Sequence, residues 1–435
     1  MSVLAVRRGA PGSRKPGLGP GWGSLTTIPR QWVAGTFAAC ALFAGAVALF
    51  TTNDLHRLWG SAAAAGYLLA AVAVLSWRQR GLDLALGLGL CGALLVPLGW
   101  LATQGRQQPE VSVIVRSAEL LVHHGMPYLS TAALAATHNP NSYDPYLPVM
   151  TLFGLPRALA GSGVLTDPRI WFGLAFLVAL ALALAVAGAR DWVRWTILIA
   201  ASPVIAFELA VGGTDIPVLA LMCLGLALLW RTSRHGPHPL LAGLVLGIAA
   251  AMKATAWPAL VIAIVLLAAR DGRRAAAVFT ATAVAACAVL VGPVAAVWPG
   301  SLVANTISFP LGLTKIKSMA ASPLPGHLLA QTGHTGHLIA VGLLGLAGLG
   351  VAAWLVLAPP KDVPSATWRL IVGLTLMFTL APATRFGYYI YPAALLAWLL
   401  VALAGRRELG PVRRRPPTRP SSGRARPGVG AADTS

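Results

Sequence analysis

Charge is scarce in this chain. Charged residues make up 11% of its 435 residues, against about a quarter in an ordinary soluble domain. Acidic residues are the scarcer half, 13 Asp and Glu against 33 Lys and Arg, which leaves a net charge of +20. A soluble protein of this length carries a large polar skin that so few charges cannot furnish. The remainder is 57% hydrophobic, with a mean hydropathy of +0.72, so lipid must solvate much of the surface. The basic excess does not read as nucleic-acid binding, because no basic patch interleaved with aromatics and no recognisable binding fold accompanies it. Cysteine is equally sparse: Cys40, Cys91, Cys223 and Cys287 lie far apart inside apolar runs, where a thiol behaves as a small hydrophobe and no metal-ligand spacing exists. Walker, dinucleotide, HExxH and GxSxG signatures are all missing, and with them the chemistries they serve. His123 and His124 are adjacent, so on a helix their rings diverge; no metal and no cofactor is expected.

What is abundant is long apolar runs. A crossing needs roughly 20 such residues, and 32–51, 60–77, 82–102, 170–189, 195–212, 275–297, 337–358, 367–382 and 388–405 qualify. The stretch 216–230 is short, and the pair 239–252 and 256–269, divided at Lys253, is shorter. Counting the pair as two crossings gives about twelve spans, within a range of eleven to thirteen. Residues 148–160 are too few to cross and fit a re-entrant or interfacial segment. The expected organisation is a basic tail over 1–31, a transmembrane domain over 32–405 with long loops at 103–169 and 298–336, and a second basic tail over 406–435. With both ends on one side, the loops at Arg78/Arg80, Arg190/Arg194, Arg231/Arg234 and Arg270/Arg273/Arg274 join the tails there. About 24 of the 33 Lys and Arg then share that side, which the positive-inside rule makes cytoplasmic. The protein is therefore expected in the inner (plasma) membrane, multi-pass, with both termini cytoplasmic and its active face outward. Its partners would be membrane lipids, not nucleic acid.

Polar residues collect on the opposite side. From Glu110, the residues Val111, Ile114, Val115, Ala118, Leu121 and Val122 recur at helical spacing. They predict an amphipathic interfacial helix carrying Arg116 and ended by Gly125 and Pro127. Such a helix either faces substrate or merely caps the bundle. Tyr128, Tyr143 and Asp144 follow in a proline-rich loop that suits sugar recognition or an ordinary ordered turn. Asp215 sits at a helix break after Gly212-Gly213, where an acid near the membrane is costly to desolvate, with Glu208 two turns earlier. Lys253, between two half-length helices, either snorkels to headgroups or binds an anion. Lys315, Lys317, His327, Arg385 and Tyr388 complete the outer set. Several dispersed cations on one face are what a phosphate requires, if they converge.

The order of these features resembles the GT-C class of glycosyltransferases, and within it glycosyltransferase family 87, whose actinobacterial members include polyprenyl-phosphate-mannose-dependent α-mannosyltransferases. The residues that carry the resemblance are Glu110 opening a helix that runs to Gly125-Met126-Pro127-Tyr128, the segment Tyr143-Asp144-Pro145-Tyr146-Leu147-Pro148, the turn Gly213-Thr214-Asp215, and the Gly-rich stretch from Gly243 to Lys253. It spans roughly 103–400. The resemblance implies a GT-C-like all-α membrane fold and transfer of a hexose, mannose by preference, from a polyprenyl-phosphate carrier to a glycan or glycolipid acceptor. Glu110 would be the general base, its pKa lifted by a partly apolar setting, with Lys253, Arg385 and Lys315 or Lys317 neutralising the departing phosphate. Two departures stand out. The family's acid is usually Asp with Tyr four residues on, where this chain has Glu110 and Ile114; and the class usually carries its acid in the first outer loop, where this chain has Asp54. Asp215 and Asp54 are therefore alternatives for the base. A transporter or flippase is the rival reading, since helices broken at charged residues are also its mark.

Overall fold

A computed structural model describes residues 25–77, 80–230 and 238–408. Most of both expected tails, and Arg78, Arg231 and Arg234, lie outside the described residues. Among the described residues the chain is all helix apart from turns and one isolated parallel bridge, Ala321 to Thr384.

The first helix, α1 (Arg30–Phe50), returns immediately as α2 (Asp54–Ser76). Asn53 caps α2, its Oδ1 accepting the Leu55 N–H at 2.9 Å, so the helix starts six residues before the expected position 60 and takes in Asp54. Unsatisfied N–H groups at a helix start favour such a cap. The third crossing, α3 (Gly81–Thr103), contains a π-helical turn at Cys91–Leu95. There Gly92 packs on Gly66 of α2 so closely that a Cβ on Gly66 would stand 2.6 Å from the Gly92 Cα. Small residues allow backbones in lipid this approach.

The amphipathic helix α4 (Pro109–His124) buries Val111, Val113, Ile114, Ser117 and Ala118, and Gly125 ends it in the left-handed conformation at φ 69°, as the sequence predicts. Beneath it lies the segment 148–160, a 3-10 turn at Pro148–Gly154 followed by a short helix at Leu155–Ala160. A Cβ on Gly154 would stand 2.5 Å from the Ile114 carbonyl oxygen, so this segment is packed hard against α4.

α5 (Pro168–Ala187) leads to a departure from expectation. The stretch 195–212 is not one straight helix: α6 (Trp192–Ala200) and α7 (Pro203–Val211) meet at 60°. Pro203 lacks an N–H and its ring excludes the preceding residue from helical geometry, so the chain bends. Then come α8 (Ile216–Trp230), α9 (His238–Ala250) and α10 (Trp257–Arg270), the short apolar set, of which α8 is buried along most of its length. α11 (Arg273–Val297), α12 (His334–Leu357), α13 (Val363–Leu380) and α14 (Ile390–Glu408) follow.

Among the described residues eight helices are long and apolar enough to cross a membrane, nine with the bent α6–α7 pair. The protein is a polytopic helical membrane protein whose eight or nine full spans fall below the twelve expected, the difference lying in α8, α9 and α10. The two ends of the bundle are chemically distinct. At one, Arg194 pairs with Asp83 at 2.7 Å and Arg30 donates to the Trp77 carbonyl at 2.9 Å. At the other, Arg106 pairs with Asp54 at 3.8 Å, and the helix breaks described next converge.

Candidate active site

Backbone hydrogen bonds draw distant segments together at this second end. The Gln108 N–H, just before α4, donates to the Val211 carbonyl at the end of α7 at 2.9 Å. Leu147 and Val149 donate to Met252 and Ala251, at 2.9 and 3.2 Å, and so bind the Tyr-rich loop to the break after α9. The loop after Phe309 is held to the segment after α13 by Thr384 N–H to Ala320 at 2.9 Å and Phe386 N–H to Ser322 Oγ at 3.0 Å. These contacts enclose a cavity of about 240 Å³. Glu110, Tyr143, Glu208, Asp215, Lys253, Arg385 and Tyr388 line it, together with His56 and Gln108.

Two ion pairs dominate the cavity. Lys253 lies in extended backbone between α9 and the turn leading to α10, which frees its side chain from either helix. Its Nζ stands 2.5 Å from Asp215 Oδ1, 5.2 Å from the Tyr146 ring centroid and 5.3 Å from that of Tyr388. The aromatic faces add cation–π attraction where water is scarce. Asp215 is delivered by Gly213, whose φ of 89° turns the chain between α7 and α8. The same Oδ1 accepts the Tyr391 hydroxyl at 2.6 Å, and Tyr391 in turn receives the Thr255 hydroxyl at 2.8 Å. The Lys253 and Asp215 side chains are only 11% and 7% exposed, so neither charge could be left alone cheaply.

The second pair joins residues 275 apart in sequence: the Arg385 guanidinium donates to Glu110 Oε1. Glu110 stands in the first turn of α4 behind Pro109, where the positive end of the helix favours an anion. This pair is the more open one, with side chains 37% and 17% exposed. A third carboxylate, Glu208, reaches the cavity from the last turns of α7 beside the backbone of Gly387. Among the described residues the Glu208 side chain has no hydrogen bond or ion pair. Three carboxylates and two cations give the wall a formal charge of −1.

Other residues expected at the site stand outside this cavity. Asp144 is buried behind it: Ser117 Oγ donates to Oδ2 at 2.5 Å, and the Tyr146 N–H to Oδ1 at 2.9 Å. Burial pushes the Asp144 carboxyl up to about 6, against the pull of those bonds and of Arg116. Arg116 donates to the Asn141 and Ser142 carbonyls at 2.6 and 3.1 Å, and Tyr128 donates to the Tyr146 carbonyl at 2.8 Å. These three hold the shape of the loop that presents Tyr143, which stacks on Phe309 at 4.4 Å between centroids. Lys315 and Lys317 are exposed on the loop whose next residues, Ser318 to Ala320, form the cavity wall. His327 donates from Nδ1 to the Pro382 carbonyl at 2.7 Å and receives Gln331 at Nε2 at 2.8 Å, so both nitrogens are occupied. Asp54 is exposed, with Arg57 and Arg106 at 3.9 and 3.8 Å. Among the described residues, no group of three or more His, Cys, Asp or Glu is arranged to hold a metal ion.

His56 and Gln108 are two polar lining residues that the sequence did not point to. His56 packs edge-on to Phe207 at 4.8 Å and meets the Gln108 amide at 3.3 Å. Each is a single polar residue near a helix start, a pattern common to any helix boundary, so nothing in the sequence marks them. The buried Arg169 was also unforeseen; it grips Asp167 at 2.8 Å and the Ala210 carbonyl at 2.8 Å, fixing α7 against the start of α5.

The profile of glycosyltransferase family 87 matches residues 145–382. That stretch holds Glu208, Asp215 and Lys253, while Glu110 and Arg385 flank it. No curated protein and no solved structure matches the chain. The family match covers more than half of the sequence and contains one of the cavity's two ion pairs, and the chain belongs to glycosyltransferase family 87.

Proposed function

We propose that the protein is a GT-C-type membrane glycosyltransferase that moves a hexose, mannose by preference, from a polyprenyl-phosphate carrier to a glycan or glycolipid. The observation that carries this reading is the convergence of Glu110, Asp215, Lys253 and Arg385, from four separate chain segments, on one cavity. Eight long helices, the bent pair and the three short helices make twelve crossings if the short ones span. Both termini then lie on one side. The cytoplasm is assigned to the end bearing Arg30, Arg194 and Arg270, and the cavity to the outer face of the inner membrane. The transmembrane domain is 32–405, flanked by basic cytoplasmic tails.

In this reading Glu110 takes the proton of the acceptor hydroxyl as its oxygen bonds to the anomeric carbon. The bond from that carbon to phosphate oxygen breaks, and its electron pair leaves with the lipid phosphate. Arg385 exchanges Glu110 for the phosphate, and Lys253 adds its field from the inner wall; such electrostatic stabilisation is often the largest catalytic contribution. An apolar groove of about 380 Å³ between α10, α12 and α13 would take the polyprenyl tail. One of its residues, Met377, precedes Phe378, which packs against Tyr388 of the cavity.

The test is transfer. Membranes holding the protein, given radiolabelled polyprenyl-phosphomannose and a mannoside acceptor, should yield a longer labelled glycan. Movement of label across the bilayer with no transfer from any lipid-linked sugar would replace the enzyme by a transporter or flippase.

A further inference from the structure

Among the described residues, nine Lys and Arg belong to the cavity end of the bundle, and eight of them are either already partnered or set outside the cavity. Arg57 and Arg106 flank Asp54, while Arg157 and Arg169 flank Asp167. Arg116 is spent on the Asn141 and Ser142 carbonyls. Lys315 and Lys317 are exposed and do not line the cavity. Lys253 is committed to Asp215. Of the two cations that line the cavity, Arg385, the ninth and the more exposed member of its pair with Glu110, is the better placed to turn to a substrate anion. A donor phosphodiester would use it.

A second anion entering the same cavity would find only Lys253, already paired with Asp215, and would also face Glu208. That carboxylate lies in the last turns of α7, whose final carbonyls are themselves a site of partial negative charge; its own carbonyl accepts the Gly212 N–H at 2.8 Å. An unpartnered carboxylate in a partly dry cavity calls for neutral hydrogen-bond donors. Around it the wall offers apolar and aromatic faces, Phe207, Tyr146 and Tyr388, with the Gln108 amide and His56 imidazole. Hydroxyls to meet the carboxylate and C–H faces to meet the rings are the two surfaces of an uncharged sugar.

We infer that Glu208 is a specificity-determining residue that hydrogen-bonds the hydroxyls of the acceptor, and that the accepting sugar is uncharged. This rests on the glycosyltransferase reading above and adds to it the chemical class of the acceptor. Glu208 is distinct from the base assigned to Glu110: it holds the acceptor, and the proton leaves elsewhere.

The experiment uses the full-length protein in detergent with labelled polyprenyl-phosphomannose and two acceptors, octyl α-mannopyranoside and its 6-carboxylate, octyl α-mannopyranosiduronic acid. Release of polyprenyl phosphate is followed alongside transfer. The wild type should prefer the neutral acceptor by at least tenfold in kcat/KM. Glu208→Gln should raise the KM for the neutral acceptor tenfold or more, leave the donor KM within twofold, and narrow the discrimination against the uronate. Equal use of the two acceptors by the wild type would overturn the inference without needing any variant. So would a Glu208→Gln protein whose donor KM rises while its acceptor KM is unchanged. In both of those cases donor turnover persists, so the glycosyltransferase reading survives; a wild type that neither releases polyprenyl phosphate nor transfers sugar overturns both.

Discussion

The two ion pairs of the cavity look alike on paper and differ in build. Lys253–Asp215 lies within the stretch shared with the family, is nearly closed to solvent, and is tied through Tyr391 to Thr255. Glu110–Arg385 lies on either side of that stretch, joins the start of α4 to the turn between α13 and α14, and leaves its arginine over a third exposed. A buried pair is costly to open, because each charge would lose its one opposite charge where water is scarce. An exposed pair is held by little, because water competes for both partners. Under the proposed function the two pairs would do different work: the inner pair would shape the floor and set its field, and the outer pair would trade partners with substrate.

The largest effect that would break this contrast is on stability. Lys253→Met should destabilise the protein by about 3–5 kcal/mol, the usual cost of orphaning one member of a buried pair. Adding Asp215→Asn should recover most of that loss. Thermal unfolding in detergent reads both, and a Lys253→Met protein that melts like the wild type would show the inner pair to be as loose as the outer. Arg385→Ala should leave the melting temperature nearly unchanged and cost activity instead. Loss of one cation from a developing phosphate is worth roughly a hundredfold or more in rate, and Arg385→Lys should restore part of it. A large fall in melting temperature with unchanged donor kinetics would reverse the assignment of the two pairs.

The smallest effect concerns the loop behind the cavity. Burial raises the folded-state pKa of Asp144 from 3.8 to about 6, so between those values the folded protein binds more protons than the unfolded chain. The stabilisation is therefore present in full below pH 3.8 and is lost as pH rises through 6, on the order of 3 kcal/mol. Asp144→Asn keeps an acceptor for the Tyr146 N–H and a donor for Ser117, and cannot ionise. Its melting temperature should vary less between pH 4 and 7 than that of the wild type; equal slopes would remove Asp144 from the account.

Much of this architecture could be read before the fold. Apolar runs located the helices, and Gly125 and Pro127 marked the end of α4 because only a left-handed residue completes that stop. The 60° bend at Pro203 was also written in the sequence, as Ser202-Pro203 inside an apolar run, and length alone hid it. The meeting of Glu110 with Arg385 was not readable in the same way: 275 residues separate them, and no local pattern encodes a contact made by packing nine or more helices. Asp144, Arg116 and Tyr128 illustrate an ambiguity of the opposite kind. Polar side chains in or beside a proline-rich loop resemble a binding site, yet a buried loop needs the same groups to satisfy its own backbone.

Glu110→Gln tests the central claim most directly, because it changes one proton-accepting atom in a cavity whose shape it should preserve. Purified protein would be mixed with labelled polyprenyl-phosphomannose and acceptor, and donor affinity and the single-turnover rate measured together. The account predicts donor binding within about threefold of the wild type and a rate lower by two to four orders of magnitude, the range for loss of a general base. A Glu110→Gln protein that turns over at the wild-type rate would contradict it.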